Sequence, residues 1–90
     1  MILKTITVTT YDGYTGSERP VTFVVNGQKH VVTDIIDRWY EGSQEPGKLQ
    51  LKYFKVKTAS GAVYLLRYNS LFDAWALVIP GVSQDDSYNP

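Results

Sequence analysis

The chain has 90 residues, 43% of them hydrophobic, and its nine basic and nine acidic side chains cancel. This length fits one domain with a packed core, and the charge balance excludes a strong general attraction to nucleic acid or to anionic membranes. The absence of cysteine excludes disulfides and zinc sites that depend on cysteine.

The first segment, residues 2–10, alternates side chains with a period of two and is rich in threonine and β-branched residues, which predicts a β-strand. It lacks the continuous apolar run of a signal peptide. No run elsewhere approaches the ~20 apolar residues of a membrane-spanning helix. We therefore expect a bacterial-style cytoplasmic protein that does not enter a membrane. Glycines in residues 11–19 indicate a loop before the next strand.

Residues 21–32 contain the clearest hairpin signal, an Asn26-Gly27 pair between two alternating runs. A two-residue type I′ turn needs two residues with positive φ, which Asn and Gly accept most readily. This turn pairs Phe23 with His30, so both side chains are predicted on one face of the hairpin.

The third strand is predicted from Lys29 to about Tyr40, and its apolar residues come in adjacent pairs. Because strict alternation sends adjacent side chains to opposite faces, the strand is either buried on both sides or bent by a bulge near Thr33-Asp34. A helical turn over residues 34–38 remains an open alternative.

A second hairpin is predicted around Ala59-Ser60-Gly61, with Gly61 in the left-handed conformation. The core face of this hairpin comprises Phe54, Val56, Tyr64 and Leu66. The outer face comprises Tyr53, Lys55, Lys57, Leu65 and Arg67.

With a last strand over residues 74–79, the pattern predicts six antiparallel strands and no helix. Short strands in a meander favour closure into a small SH3-like barrel or roll, because closure removes sticky sheet edges. We expect one domain over residues 1–82 and a polar, frayed tail over residues 83–90.

The residue types in this sequence give little support for a catalytic site. His30 is the one histidine, and on a regular strand Asp34 would share its face roughly 13 Å away. The simpler interpretation of His30 is a half-buried ring packed on Phe23. Phosphate-binding glycine motifs and metal-ligand clusters are missing, so we expect no cofactor, no metal and no enzyme activity.

The segment from Lys48 to Arg67 contains five basic residues and no acidic one. Tyr53, Lys55, Lys57 and Arg67 therefore form a candidate site for single-stranded nucleic acid, with phosphates on the cations and bases on the ring. The alternative is that the lysines pair across strands with Asp34, Asp37 and Glu41.

A second candidate surface is aromatic. Trp39, Tyr40 and Tyr68 could form a patch that docks a protein segment, as aromatic grooves of small barrels do. The alternative is that these rings pack in the core.

Several short motifs occur in a fixed order along residues 20–79. They are Pro20-Val21-Thr22-Phe23, Asn26-Gly27, Asp37-Arg38-Trp39-Tyr40, Tyr53-Phe54-Lys55-Val56-Lys57-Thr58, Gly61-Ala62-Val63-Tyr64 and Asp73-x-Trp75. This order resembles a family of small bacterial proteins of unknown function, often encoded near error-prone lesion-bypass DNA polymerases. The chain departs from the family in its extra N-terminal strand and in its lack of net basic charge.

The resemblance implies a role near nucleic acid but no catalytic residues. Taken together, the sequence predicts a non-enzymatic binding or accessory domain that contacts nucleic acid or a DNA-processing protein through the Tyr53–Arg67 face. A protein-docking module that uses the Trp39 patch is the alternative, and an enzyme using His30 and Asp34 is the third.

Overall fold

The computed structural model describes residues 2–11, 19–43, 45 and 47–80. This part of the chain contains six strands and no helix: β1 Ile2–Thr10, β2 Pro20–Val25, β3 Gln28–Gly42, β4 Gln50–Thr58, β5 Val63–Asn69 and β6 Ala74–Ile79. Each strand pairs antiparallel with the next, and β1 also pairs with β6, so the sheet closes into a barrel. The predicted all-β, six-strand antiparallel barrel is confirmed. The expected tail and most of the expected 11–19 loop lie outside the described residues.

The β2–β3 hairpin has the predicted register, with Val25 opposite Gln28 and Phe23 opposite His30. Asn26 and Gly27 both have positive φ, 52° and 78°. The two-residue turn that the Asn-Gly pair predicts is therefore confirmed.

Two bulges interrupt β3, which accommodates its adjacent apolar pairs. The register skips Thr33, between the Val32–Thr58 and Asp34–Lys57 pairs, and it skips Ile36 three residues later. Each extra residue reverses the alternation. The bulge at Thr33 returns Ile35 to the inside, opposite Val56, and the bulge at Ile36 places Asp37 and Trp39 on the outer face. The predicted bulge near Thr33-Asp34 is confirmed, and the helical turn over residues 34–38 is wrong, since β3 continues as a strand to Gly42.

The β4–β5 hairpin also follows the prediction. Val56 lies opposite Tyr64 and Tyr53 opposite Arg67. The Thr58 N–H donates to the Ala62 carbonyl at 2.9 Å, and Gly61 has a φ of 89°. A three-residue loop with a left-handed glycine therefore closes this hairpin.

The barrel interior is filled by side chains from every strand. Phe23, Val56 and Leu66 are fully buried, and five more buried residues join them in one cluster: Ile6, Phe54, Tyr68, Trp75 and Leu77. Tyr53 and Val78 are buried as well but do not belong to this cluster. Their inward-facing strand neighbours, Phe54 and Leu77, show that these two side chains lie on the outer face of the sheet. Something other than the core covers that face locally.

Candidate functional site

The ring of Tyr53 is covered on the outside of the barrel by Trp39, its cross-strand partner on β3. The ring centroids lie 5.2 Å apart, and the ring planes differ by 6°. Tyr53 is only 6% exposed as a result. It offers no open platform on which a nucleic-acid base could stack.

The two lysines of the predicted basic face are exposed, but each has an acidic neighbour. Lys57 lies opposite Asp34, and Lys55 lies opposite Asp37. Opposite charges at directly facing positions of an antiparallel pair attract each other. This register supplies the partners that the ion-pair alternative requires, and it reduces the positive potential of the face.

Arg67 lies opposite Tyr53 and is half-buried, and its Nε is buried without a hydrogen-bond partner among the described residues. The Tyr53 hydroxyl donates to Oε1 of Glu41 at 3.0 Å. Burial, reinforced by this hydrogen bond, raises the pKa of Tyr53 above its usual value, while Arg67 opposes that rise. Contacts with Trp39 and Glu41 thus hold Tyr53 and Arg67 in a cluster, and these two predicted site residues are not free to bind a ligand.

The three aromatic residues of the predicted docking patch do not come together. Trp39 and Tyr40 are 36% and 53% exposed, but as consecutive residues of β3 they face opposite sides. The Tyr40 ring lies under the Lys52 ammonium, 5.7 Å from Nζ to the ring centroid. Tyr68 is buried in the core against Trp75.

His30 and Asp34 are also kept apart. His30 stacks on Phe23 with ring centroids 5.0 Å apart, and it contacts Tyr64 at 5.2 Å. Because the bulge at Thr33 reverses the alternation, Asp34 lies with the exposed Lys57 on the outer face. The expectation that the two side chains share a face is wrong for this reason.

An apolar groove of about 520 Å³ lies next to Trp39 on the outside of the barrel. Its apolar lining includes Trp39, Val63, Leu65, Val78 and Pro80. Lys55 is the one charged side chain among the described residues that line it. Leu65 and Val78 face each other across β5 and β6, and Leu3 continues the same row on β1. A row of three apolar side chains therefore crosses three strands on the outer face, with Leu3 exposed, Leu65 half-buried and Val78 buried between them.

Sequence reasoning placed Leu65 on the outer face but missed the groove. The groove can be recognised only from the β5–β6 and β1–β6 registers, because these pairings bring Leu3, Leu65 and Val78 into one row. Alternation alone shows that each strand has an apolar residue on its outer side, without showing that they adjoin.

No group of three or more histidine, aspartate or glutamate side chains in the described ranges is arranged to hold a metal ion. Those ranges also contain no helix long and apolar enough to cross a membrane. Comparison of the chain with family models, curated proteins and solved structures gives no match. The resemblance to small bacterial proteins encoded near lesion-bypass polymerases stays a prediction from its motifs.

Proposed function

We propose that this domain is a non-enzymatic docking module, and that its outer groove receives an extended apolar segment of a partner protein. The observation that carries the proposal is the apolar groove between Trp39 and Pro80. The barrel already buries a complete core, so these outer apolar residues are not needed to fill it. Contiguous exposed apolar surface on a small domain is typical of an interaction site.

The shape of the groove favours a protein segment over a small molecule. A small ligand needs most of its surface, about 70–90%, enclosed by its site. This groove is a surface depression on a sheet, the exposed Val63 is part of its lining, and the exposed Leu3 lies next to Val78 on the neighbouring strand. An extended chain can use such a surface because it continues beyond the groove at both ends.

The arrangement of charged side chains around the groove favours an apolar protein segment over a nucleic acid as its ligand. Lys55 and Lys57 face Asp37 and Asp34, and Tyr53 is covered by Trp39. A nucleic-acid site draws most of its affinity from unopposed cations and from open aromatic rings. The Lys55 ammonium has three N–H donors, so beside Asp37 it can still bind one carboxylate at the rim of the groove, and the expected segment has an aliphatic or proline side chain next to an aspartate or glutamate.

Selection from a random peptide library displayed on phage, with the full chain as bait, tests this proposal. We expect the enriched sequences to share an apolar residue beside an acidic one. Val63→Glu should weaken an enriched peptide at least ten-fold, because it puts a carboxylate into the apolar wall beside the carboxylate of the peptide. Val31→Glu is the matched control, since Val31 is 47% exposed against 51% for Val63 and does not line the groove.

Failure to enrich any sequence would contradict the proposal, and so would an equal loss of affinity in both valine variants. A short oligothymidylate that binds strongly at low salt, and loses binding in Lys55→Glu with Lys57→Glu, would favour the nucleic-acid interpretation instead. The unfolding midpoints of the two valine variants are the folding control. If they are similar, a difference in peptide affinity reflects binding and not loss of the fold.

A further inference from the structure

The second half of β3 has one edge that no strand of the described residues pairs with. Residues 37–42 pair with β4 on one side. On the other side β2 pairs with β3 only from Gln28 to Val31, and no other described strand reaches residues 37–42. An edge of this kind offers a ladder of backbone donors and acceptors to an added strand.

The backbone of Arg38 shows which groups point to this edge. Its N–H donates to Oδ1 of Asp37, the preceding residue, at 2.8 Å. The Ser43 N–H, an odd number of residues further along, donates to the Leu49 carbonyl just before β4, so Arg38 belongs to the set that points away from β4. Because backbone groups alternate in direction along a strand, those of Tyr40 point to the open edge together with those of Arg38. An added strand would take over the Arg38 N–H and release the Asp37 carboxylate for another partner.

The side chains along this edge have a distinct charge pattern. Asp37, Trp39 and Glu41 share the outer face, with an aromatic ring between two carboxylates. Arg38 and Tyr40 lie on the opposite face. A strand that pairs here would place its own alternate residues beside Asp37, Trp39 and Glu41.

A second copy of the chain fits this edge poorly. Two β3 strands related by a two-fold axis place residues of the same face opposite each other. An axis at Arg38 brings two arginines together, and an axis at Trp39 brings Asp37 opposite Glu41. Like charges at facing positions are destabilising, so two of the three registers centred on residues 38–40 are disfavoured for self-association.

We propose that the open edge of β3 binds an extended segment of a partner protein that carries a basic residue, an apolar residue and a second basic residue at alternate positions. The apolar side chain packs on Trp39, and the two basic side chains pair with Asp37 and Glu41. This surface is separate from the outer groove, although Trp39 borders both, and the proposal does not depend on what the groove binds.

A synthetic end-blocked peptide of sequence Thr-Arg-Thr-Val-Thr-Arg-Thr tests the proposal against the full chain, with binding followed by amide NMR shifts. We expect saturable shifts centred on residues 37–42. A peptide with glutamate in place of both arginines should bind at least ten-fold more weakly, since it puts like charges opposite Asp37 and Glu41. Equal binding by the two peptides would overturn the charge assignment.

Backbone methylation of the peptide identifies strand addition directly and leaves the protein unaltered. An added strand directs every second N–H to β3, so methylating one alternate set of amides should abolish binding while methylating the other set leaves it within a few-fold. If methylating either set of amides abolishes binding, or if methylating neither set does, the edge proposal is overturned.

Asp37→Asn provides the test from the protein side, with Asp34→Asn as its matched control on the far side of the Ile36 bulge. We expect Asp37→Asn to weaken the basic peptide by about 1.4- to five-fold, from the ~0.2–1 kcal/mol of a cross-strand charge pair. Asp34→Asn should change the affinity less. Equal effects would indicate general charge attraction instead of pairing at the edge.

Discussion

At the scale of single residues, a buried hydroxyl joins the core to the β5–β6 turn. The Tyr68 hydroxyl donates to Oδ1 of Asp73 at 2.7 Å, and Asp73 has a φ of 50°, which is uncommon for a residue other than glycine. Burial, together with this hydrogen bond to a carboxylate, raises the pKa of Tyr68 to about 12. The bond therefore stabilises the turn only while the hydroxyl keeps its proton.

The pH dependence of the free energy of unfolding tests this contact through Tyr68→Phe. The pKa of Tyr68 is higher in the folded state than the unfolded value of 10.0, so its contribution is fully present below pH 10 and is lost as pH rises through about 12. We expect wild type to be about 1 kcal/mol more stable than Tyr68→Phe at pH 8. Urea unfolding at pH 8 to 12 should show this difference shrinking above pH 10, and a constant difference would contradict the assignment.

At the scale of elements, the β3–β4 connection depends on the close approach of two backbones. Gly42 has a φ of 91°, and a Cβ on it would lie 2.5 Å from the Leu49 carbonyl oxygen. That same oxygen accepts a hydrogen bond from the Ser43 N–H at 3.0 Å. The end of β3 is therefore fixed by a glycine that no other residue can replace without movement of the chain.

Alanine substitution at two glycines separates this contact from the effect of positive φ. Gly47 also has a positive φ, 80°, but nothing lies within 4 Å of a Cβ placed there. Gly47→Ala should cost about 1–2 kcal/mol of unfolding free energy from strain alone. Gly42→Ala should cost at least about 1 kcal/mol more, measured as the shift in urea midpoint. Equal costs would mean that the Leu49 contact relaxes freely.

The elements also show how far sequence reasoning reaches. Both hairpins and their registers follow from Asn26-Gly27 and Ala59-Ser60-Gly61, because turn chemistry and alternation are local. The bulge at Thr33 follows from the adjacent apolar pairs, but the second bulge at Ile36 does not. It depends on the register against β4, which lies far along the chain and is set by packing.

The candidate site was less predictable than the fold for the same reason. Alternation placed Tyr53 correctly on the outer face, but the ring of Trp39 that covers it comes from another strand. The groove requires two strand registers at once, β1–β6 and β5–β6, to bring Leu3, Val78 and Leu65 together. Sequence patterns give the face of each residue and leave its distant neighbours undetermined.

At the scale of the whole molecule, the described part of the barrel has an apolar interior and an apolar groove on its outer face. The interior cluster holds the six strands together. The outer groove adds apolar surface that a partner could cover. Apolar residues should therefore fall into two classes, one needed for stability and the other for binding.

Two phenylalanine substitutions test the stability half of this division, with an exposed residue outside the groove as the reference. Phe23 is fully buried, while Phe72 in the β5–β6 turn is 73% exposed. Phe23→Leu should lower the free energy of unfolding by roughly 1–2 kcal/mol through lost packing. Phe72→Leu should stay within about 0.5 kcal/mol of wild type. Chemical denaturation of the two variants gives the comparison, and a large effect at Phe72 would contradict the division.

The docking function is tested most directly by mapping where a phage-selected apolar, acidic peptide binds on the full chain. Amide NMR shifts during titration report every strand in one experiment. The docking proposal predicts that the largest shifts fall on Leu65, Val78 and their neighbours around the groove, and that Val63→Glu removes them while Val31→Glu preserves them. Shifts confined to Lys57 and the charged end of β4, or spread evenly over the barrel, would contradict it.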